Sequence, residues 1–497
     1  MKYDAVIIGS GLGGLLSAAM LSKEGMQVLV LEKNAVIGGC LQTFTRKGHL
    51  FDTGVHYIGS MGKGEILNML FRYFGLAQKL PLKRLDEDCF DKIIYKGESY
   101  AYAQGYDNFI DKLSQKFPQS RTEIRTYVNN IKKISASVDF DHMQIFSQQT
   151  LMSNPYFRYP ASDFIDDSTK DPVLRNILAG LNCLYAGVPG VTPAYIHALI
   201  NAFFIQSAWR IVNGGSSLAR LLSDMITENG GEIRKNAEVV ALNMGSGKLD
   251  HAVLQGGEKV YADRFISNVH PSLTVDLVKG EGLRKPYKNR IKNLDNTIGT
   301  FILYLVLRED AFPYLNYNVN YYDRDDVWGT RSYDPERWPD FFLLYTPVTS
   351  NQPEFARSLI AITYMKYEEV RKWEHTTIEK RGDDYRSFKE DRAQRLLALM
   401  EKVYPGIRNA VESHYSSTPL TLRDYTHTPR GSVYGILQDS RNFMESILSA
   451  RTKIPNLFLT GQNVNVHGML GVTLSSLTTC SEILGQEYVL KKLQHAV

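Results

Sequence analysis

The stretch whose reading decides the fold is Lys2-Tyr-Asp-Ala-Val-Ile-Ile-Gly-Ser-Gly-Leu-Gly-Gly-Leu15, continued by Gln27-Val-Leu-Val-Leu-Glu-Lys33. Asp4 to Ile8 is a short β-branched apolar run, which predicts a strand. Gly9, Gly11 and Gly14 follow at G-x-G-x-x-G spacing, and Leu15 to Leu21 reads as an amphipathic helix. The three glycines act differently. Gly9 permits the sharp turn, Gly11 lets backbone approach a pyrophosphate, and Gly14 lets the helix pack closely on the strand. A second apolar strand, Val28 to Leu31, ends in Glu32, at the offset expected of a carboxylate that accepts hydrogen bonds from ribose hydroxyls. The helix N-terminus then offers unpaired N–H groups to phosphate. Strand, turn, helix and acid in register predict a dinucleotide site.

The bulk composition narrows the partners. A chain of 497 residues predicts two or more lobes with ample core to bury a cofactor. Lys+Arg 57 against Asp+Glu 53 leaves +4 without a single-sign block, so no nucleic-acid footprint is present. Cys40, Cys89, Cys183 and Cys480 are scattered without any C-x-x-C, which argues against zinc or a disulfide framework and predicts no metal. The first strand begins almost at once, leaving no room for a targeting peptide, and the expectation is a cytoplasmic protein. No apolar run reaches the roughly 18 residues of a spanning helix. The nearest, Ala194 to Trp209, contains His197, Asn201 and Gln206 and reads as a buried or interfacial helix.

After Glu32 come Lys33, the pair Gly38-Gly39, then Cys40, Thr43-Phe44 and Phe51-Asp-Thr-Gly-Val-His-Tyr-Ile-Gly59. This run resembles the second signature of the FAD-dependent amine oxidase and phytoene desaturase superfamily, and its continuation is similar to the retinol saturase branch. Many members follow the glycine pair with Arg, where this chain has Cys40. Cys40 reads as a small loop residue, since nothing nearby in sequence lowers its pKa. The resemblance implies that Glu32, Lys33, Gly38 and Gly39 hold FAD, that Val239 brackets the adenine with its backbone, and that His56 and Tyr57 lie near the isoalloxazine as proton donors.

Farther on, Asn456 to Thr473 reads as a strand ending at Gly461, a glycine-bearing loop and a helix opening at Gly471-Val472. It resembles the superfamily's C-terminal flavin signature, which implies backbone contacts at Gly461, Gly471 and Val472. Many relatives carry an acid where this chain has Gln462. His467 reads as hydrogen-bonding within the loop. By the same resemblance the fold is α/β, a Rossmann-like FAD-binding domain with an α+β substrate domain, both discontinuous. The FAD domain takes residues 1–75, 213–285 and 451–497, and the substrate domain 76–212 and 286–450. Tyr185, Phe203, Phe204 and Trp209 are candidates for a greasy tunnel, against the plainer reading that they fill a core.

Helical spacing runs from Tyr106 to Phe140 and again over Tyr385 to Val403, whose charged side, Lys389 to Arg392 and Arg395, reads as solvated. No second G-x-G-x-x-G is present, so NAD(P)H is expected only as a transient electron donor. With no Ser/His/Asp set in a convincing context, a flavin carries the chemistry. The expected substrate is a hydrophobic polyene, a retinoid or other isoprenoid, collected with peripheral contact to the inner face of a membrane. Saturation is the first reading and desaturation or carotenoid isomerisation the second. The third, from another class, is a non-catalytic prenyl-lipid-binding protein on this fold. The oligomeric state is not legible.

Overall fold

A computed structural model of the chain describes residues 2–136, 154–350, 354–464 and 466–495. The far end of the helical stretch that the spacing predicts up to Phe140 lies outside the described residues. Two large sheets organise the rest.

In the first sheet, β1 (Lys2–Ile8) lies between β2 (Val28–Leu31) and strand Lys259–Ser267, parallel to both. Strand Leu457–Leu459 adds parallel to Lys259–Ser267, and Glu232–Arg234 adds parallel to β2. Three separated stretches of chain therefore build one parallel core, extended by the antiparallel strands Val239–Met244 and Leu249–Leu254. β1 is fully apolar from Ala5 to Ile8 because it is covered on both faces. Helix α1 (Leu12–Lys23) starts three residues before the apolar pattern predicts and is buried from Gly13 to Ser22 rather than amphipathic. It sits against helix Ser216–Glu228 on one side and helix Gly468–Leu484 on the other, which leaves it no solvated face.

The second sheet has seven strands, among them Gly299–Leu307, Ser358–Met365 and Phe341–Tyr345, antiparallel in that order. Register places Ile302 opposite Ile362 and Ile362 opposite Leu343, and alternation puts these on one face. The other face, with Phe301, Leu303 and Leu344, packs under helix Asp383–Glu401 through Leu396 and Met400. The charge pattern predicts a solvated side for that helix, but its Arg392 is buried, 2.9 Å from Glu369 and over the Trp338 ring. A guanidinium stacks on an aromatic face while keeping its ion pair, which sequence spacing does not reveal.

A small three-stranded sheet joins the lobes. Ile58–Gly59 pairs with Ala208–Ile211, which pairs in turn with Leu82–Arg84. It fixes the loop carrying His56 and Tyr57 against the end of helix Ala194–Gln206. The chain turns into the strand Ala208–Ile211 immediately after that helix, so Trp209 is a strand residue.

Candidate functional site

One cleft of about 610 Å³ runs from the carboxyl ends of β1, β2 and their neighbours to the second sheet. Ligands of open α/β sheets bind at such ends, where strand order switches direction. The cleft brings together Gly9, Gly11, Glu32, Lys33, Gly38 and Gly39 from the N-terminal stretch, Val239 from the middle, and Gly461 and Val472 from the C-terminal segment. His56 lines it as well. Gly14, Gly471 and Tyr57 do not.

Those three have other reasons to be where they are. A Cβ on Gly14 would lie 2.1 Å from the Gly9 carbonyl oxygen, so this glycine lets α1 start against its own turn. A Cβ on Gly471 would lie 2.2 Å from the Val466 carbonyl oxygen, because the last helix opens at Gly468, three residues before the sequence pattern places it, and the loop folds back over its first turn. The residues of that opening that reach the cleft are Gly468, Met469 and Val472. Tyr57 is buried and stacked on Phe204 with ring centroids 4.1 Å apart, and its hydroxyl donates to Asp91 Oδ2 at 2.9 Å. Burial pushes this phenol well above its ordinary range, and the Asp91 charge pushes the same way. Asp91 is itself pushed up to about 7 by burial, against the hydrogen bonds from Tyr57 and its neighbours.

His56 stands between the Tyr57 and Tyr345 rings, with centroids 4.9 and 5.1 Å away. Both ring nitrogens are buried without a hydrogen-bond partner. Burial lowers its pKa to about 4; the nearby Gly54 backbone pulls the other way, without making a well-formed hydrogen bond, and the Arg210 charge adds to the lowering. The imidazole is therefore neutral at pH 7, with unspent nitrogens on the cleft wall.

On the nucleotide side, Asn268 is a residue that sequence pattern places only at a strand end. It lines the cleft, and a Cβ added at Gly11, Gly13 or Gly461 would strike its amide at 2.4 to 2.8 Å. The glycines make room for this side chain as much as for a ligand. A strand-terminal Asn directly after the central parallel strand was the available signal. Cys40 lines the cleft with its thiol pushed up by burial, in keeping with an unreactive loop residue.

On the sheet side the wall is made by Thr300, Ile302, Phe341, Leu343, Ile362 and Tyr364, with Cys183 and Tyr434 beside them. The Tyr364 and Tyr434 hydroxyls both donate to the Cys183 carbonyl at 3.0 Å, so neither O–H is spare. His467 does not close on its own loop. Its Nε2 reaches the Leu184 carbonyl at 3.0 Å and its ring stacks on Tyr434. Tyr185, Phe203, Phe204 and Trp209 do not line this cleft. Tyr185 is bound to His197 at 2.9 Å, and Trp209 donates to Ser207.

The residues present fit a flavin dinucleotide. The glycine turn at the start of α1, the Glu32 carboxylate, the Gly38-Gly39 turn and the opening of the last helix all face one continuous space. Among the described residues no group of His, Cys, Asp or Glu is placed to hold a metal ion, and no helix is long and apolar enough to cross a membrane.

Comparison with known proteins agrees with this geometry. The chain is 27% identical to the all-trans-retinol 13,14-reductase of Danio rerio over 97% of its length and 86% of that protein's. It is 25% identical to the chloroplastic prolycopene isomerase of Arabidopsis thaliana, over 88% of this chain and 76% of that one. The crystal structure of an oxidoreductase from Methanosarcina mazei superposes with a TM-score of 0.66 at 18% identity, covering 97% of this chain and all of that one, which shows the shared fold. The profile of the flavin containing amine oxidoreductases matches residues 12–484, and with the cleft built as described, the chain belongs to that family of flavin-dependent oxidoreductases.

Proposed function

We propose that the protein is an FAD-dependent reductase of a carbon–carbon double bond in a neutral polyene or other isoprenoid lipid, acting in the manner of all-trans-retinol 13,14-reductase. The observation that carries this reading is the distribution of charge in the cleft. Glu32, Lys33, Glu238, Asp276 and Lys279 all belong to the nucleotide side, and the sheet side contributes no charged side chain. A fatty acid would need a cation there, because an unpaired charge is costly in an apolar site. A dinucleotide flavin is favoured over a mononucleotide because Glu32, at the offset of a ribose acceptor, and the glycine turn line the same cleft as the sheet wall.

A bound flavin supplies hydride transfer at N5. The sheet face holds the polyene flat by apolar contact and keeps water away. His56 supplies the proton in this reading, since Tyr57 is turned to Asp91 and the Tyr364 and Tyr434 hydroxyls are spent. A group with pKa about 4 is a strong donor that is rarely charged at neutral pH. NAD(P)H docks transiently as electron source. A second reading, cis–trans isomerisation with no net proton consumed, is favoured by the likeness to prolycopene isomerase.

The deciding experiment is anaerobic mixing of the photoreduced protein with retinol, a carotenoid and a simple quinone. Reoxidation by a polyene, giving a product heavier by two hydrogens, supports the reductase. An isomerised product of unchanged mass, with the flavin left reduced, moves the assignment to the second reading, and reoxidation by quinone with every polyene recovered unchanged sinks both.

A further inference from the structure

The nucleotide end of the cleft is roofed by a piece of the other lobe. Helix α2 (Pro419–Thr426) starts at a capping box on Thr418 and ends at His427, whose backbone is left-handed at φ 55°. Leu422, Tyr425, Thr426, His427 and Thr428 line the same cleft as Glu32. Two side chains next to Glu32 reach across to it: Lys33 Nζ donates to the Asp424 carbonyl at 2.6 Å, and Asn34 Nδ2 donates to the Tyr425 carbonyl at 3.1 Å. Both carbonyls belong to the last turn of α2, where no intrahelical donor remains and the dipole favours a cation.

The far side of this tip is anchored. The Asp424 carboxylate is paired with Arg381 and, at 2.8 Å, with Arg423, and Arg423 also donates to the Glu374 carbonyl at 2.8 Å. α2 lies against the Gly39–Leu41 turn as well. After His427, Arg430 is again left-handed at φ 52°, so the chain doubles back to rejoin the sheet lobe. The tip thus spans from the second lobe to the loop after β2, directly over the nucleotide groove.

We infer that this tip is a strap over the dinucleotide, fastened by Lys33 and Asn34, and that it gates cofactor exchange. The inference rests on the flavin reading of the cleft. Lys33 is a positioning residue here: its ammonium is committed to the Asp424 carbonyl and acts on the cofactor through α2.

The test is stopped-flow fluorescence of FAD binding to apo-protein, paired with FAD dissociation from the holoprotein. A gate limits both directions, whereas a lost contact to the ligand speeds dissociation only. Lys33→Met is expected to raise both rate constants about tenfold, the scale of one charge-assisted hydrogen bond. Lys33→Arg, which keeps a donor, should stay near wild type, and Asn34→Ala should move both rates in the same sense by less. Faster dissociation with unchanged association, or no change in either, overturns the strap. If Lys33→Met does not fold, Asn34→Ala decides by the same criterion. A wild-type protein that binds no FAD at all sinks the cofactor reading, and the strap with it, before any variant is compared.

Discussion

Glu32 holds Ser10 by both of that residue's donors. Its Oε2 accepts the Ser10 backbone N–H at 3.0 Å and the Ser10 hydroxyl at 2.6 Å, while Oε1 accepts the Asn34 N–H at 2.9 Å. The Ser10 hydroxyl oxygen in turn accepts the Gly38 N–H at 3.2 Å. The acid at the end of β2 therefore clamps the first glycine turn to the second before any ribose arrives.

Removing the clamp piecemeal should show a graded effect. Ser10→Ala loses one charge-assisted hydrogen bond, worth about 1.5–3 kcal/mol, and is expected to weaken FAD binding about tenfold or more. Glu32→Ala loses the clamp and the ribose acceptor together and should weaken it further. Titration followed by flavin fluorescence quenching measures both; equal affinities for Ser10→Ala and wild type would show that the turn holds without its clamp.

Gly14→Ala places a methyl 2.1 Å from the Gly9 carbonyl oxygen, with backbone on both sides of the contact. Overpacking of this kind costs about 1–3 kcal/mol. The expected product is a protein of lowered denaturation midpoint that purifies without flavin absorbance. A variant with unchanged midpoint and full flavin content would contradict the packing described for α1.

Asp91 gives a pH signature. Its pKa rises to about 7 on folding, so the native state holds its proton more tightly than the unfolded chain does. Stability from this group is then present at low pH and is lost as pH rises from about 4, its ordinary value, to about 7. Asp91→Asn cannot titrate. Relative to wild type, it should gain stability across that window and show a constant difference above it, read from urea midpoints at fixed pH.

His56 predicts a rate profile. With the imidazolium as donor and a pKa of about 4, a proton-limited reduction should accelerate about tenfold per unit as pH falls from 7 toward 5. His56→Gln should flatten the profile as well as lower the rate. A profile of unchanged slope in that variant would move the proton source elsewhere.

On the sheet side, Leu343→Lys introduces a charge into the row that Leu343 shares with Ile362 and Ile302. It should abolish binding of a neutral polyene while FAD content stays intact, and a carboxylate-bearing analogue should regain what the neutral one loses. Flavin spectral perturbation on adding each ligand reads the difference.

The dinucleotide turn was legible because its determinants are local: strand, glycine spacing and acid lie within Lys2–Lys33 and impose the same geometry wherever they occur. What depends on side-chain direction was not. His56 and Tyr57 are neighbours in sequence and their rings lie 4.9 Å apart, yet only one lines the cleft while the other turns its hydroxyl to Asp91, a difference set by the groups packed around them. What depends on distant partners was hidden as well. The Asn268 wedge, the Lys33 bond to Asp424 and the His467 bond to Leu184 each join residues separated by hundreds of positions. Gly471 carried the right residue type for a reason found only in the fold-back of the Val466 loop.

The placement of β1 has a consequence for biosynthesis. β1 pairs with Lys259–Ser267, which is made long after it, and that strand is in turn bordered by Leu457–Leu459. At roughly 5–20 residues per second of synthesis, β1 waits on the order of ten seconds to a minute for Lys259–Ser267, with one apolar edge paired to β2 and the other unpaired. The cofactor cannot help during that interval, since the turn that cradles it is completed by Asn268 and Gly461. Nascent chains of this protein should thus depend on chaperone shielding until Lys259–Ser267 has been made, and flavin loading should wait until Gly461 has followed it.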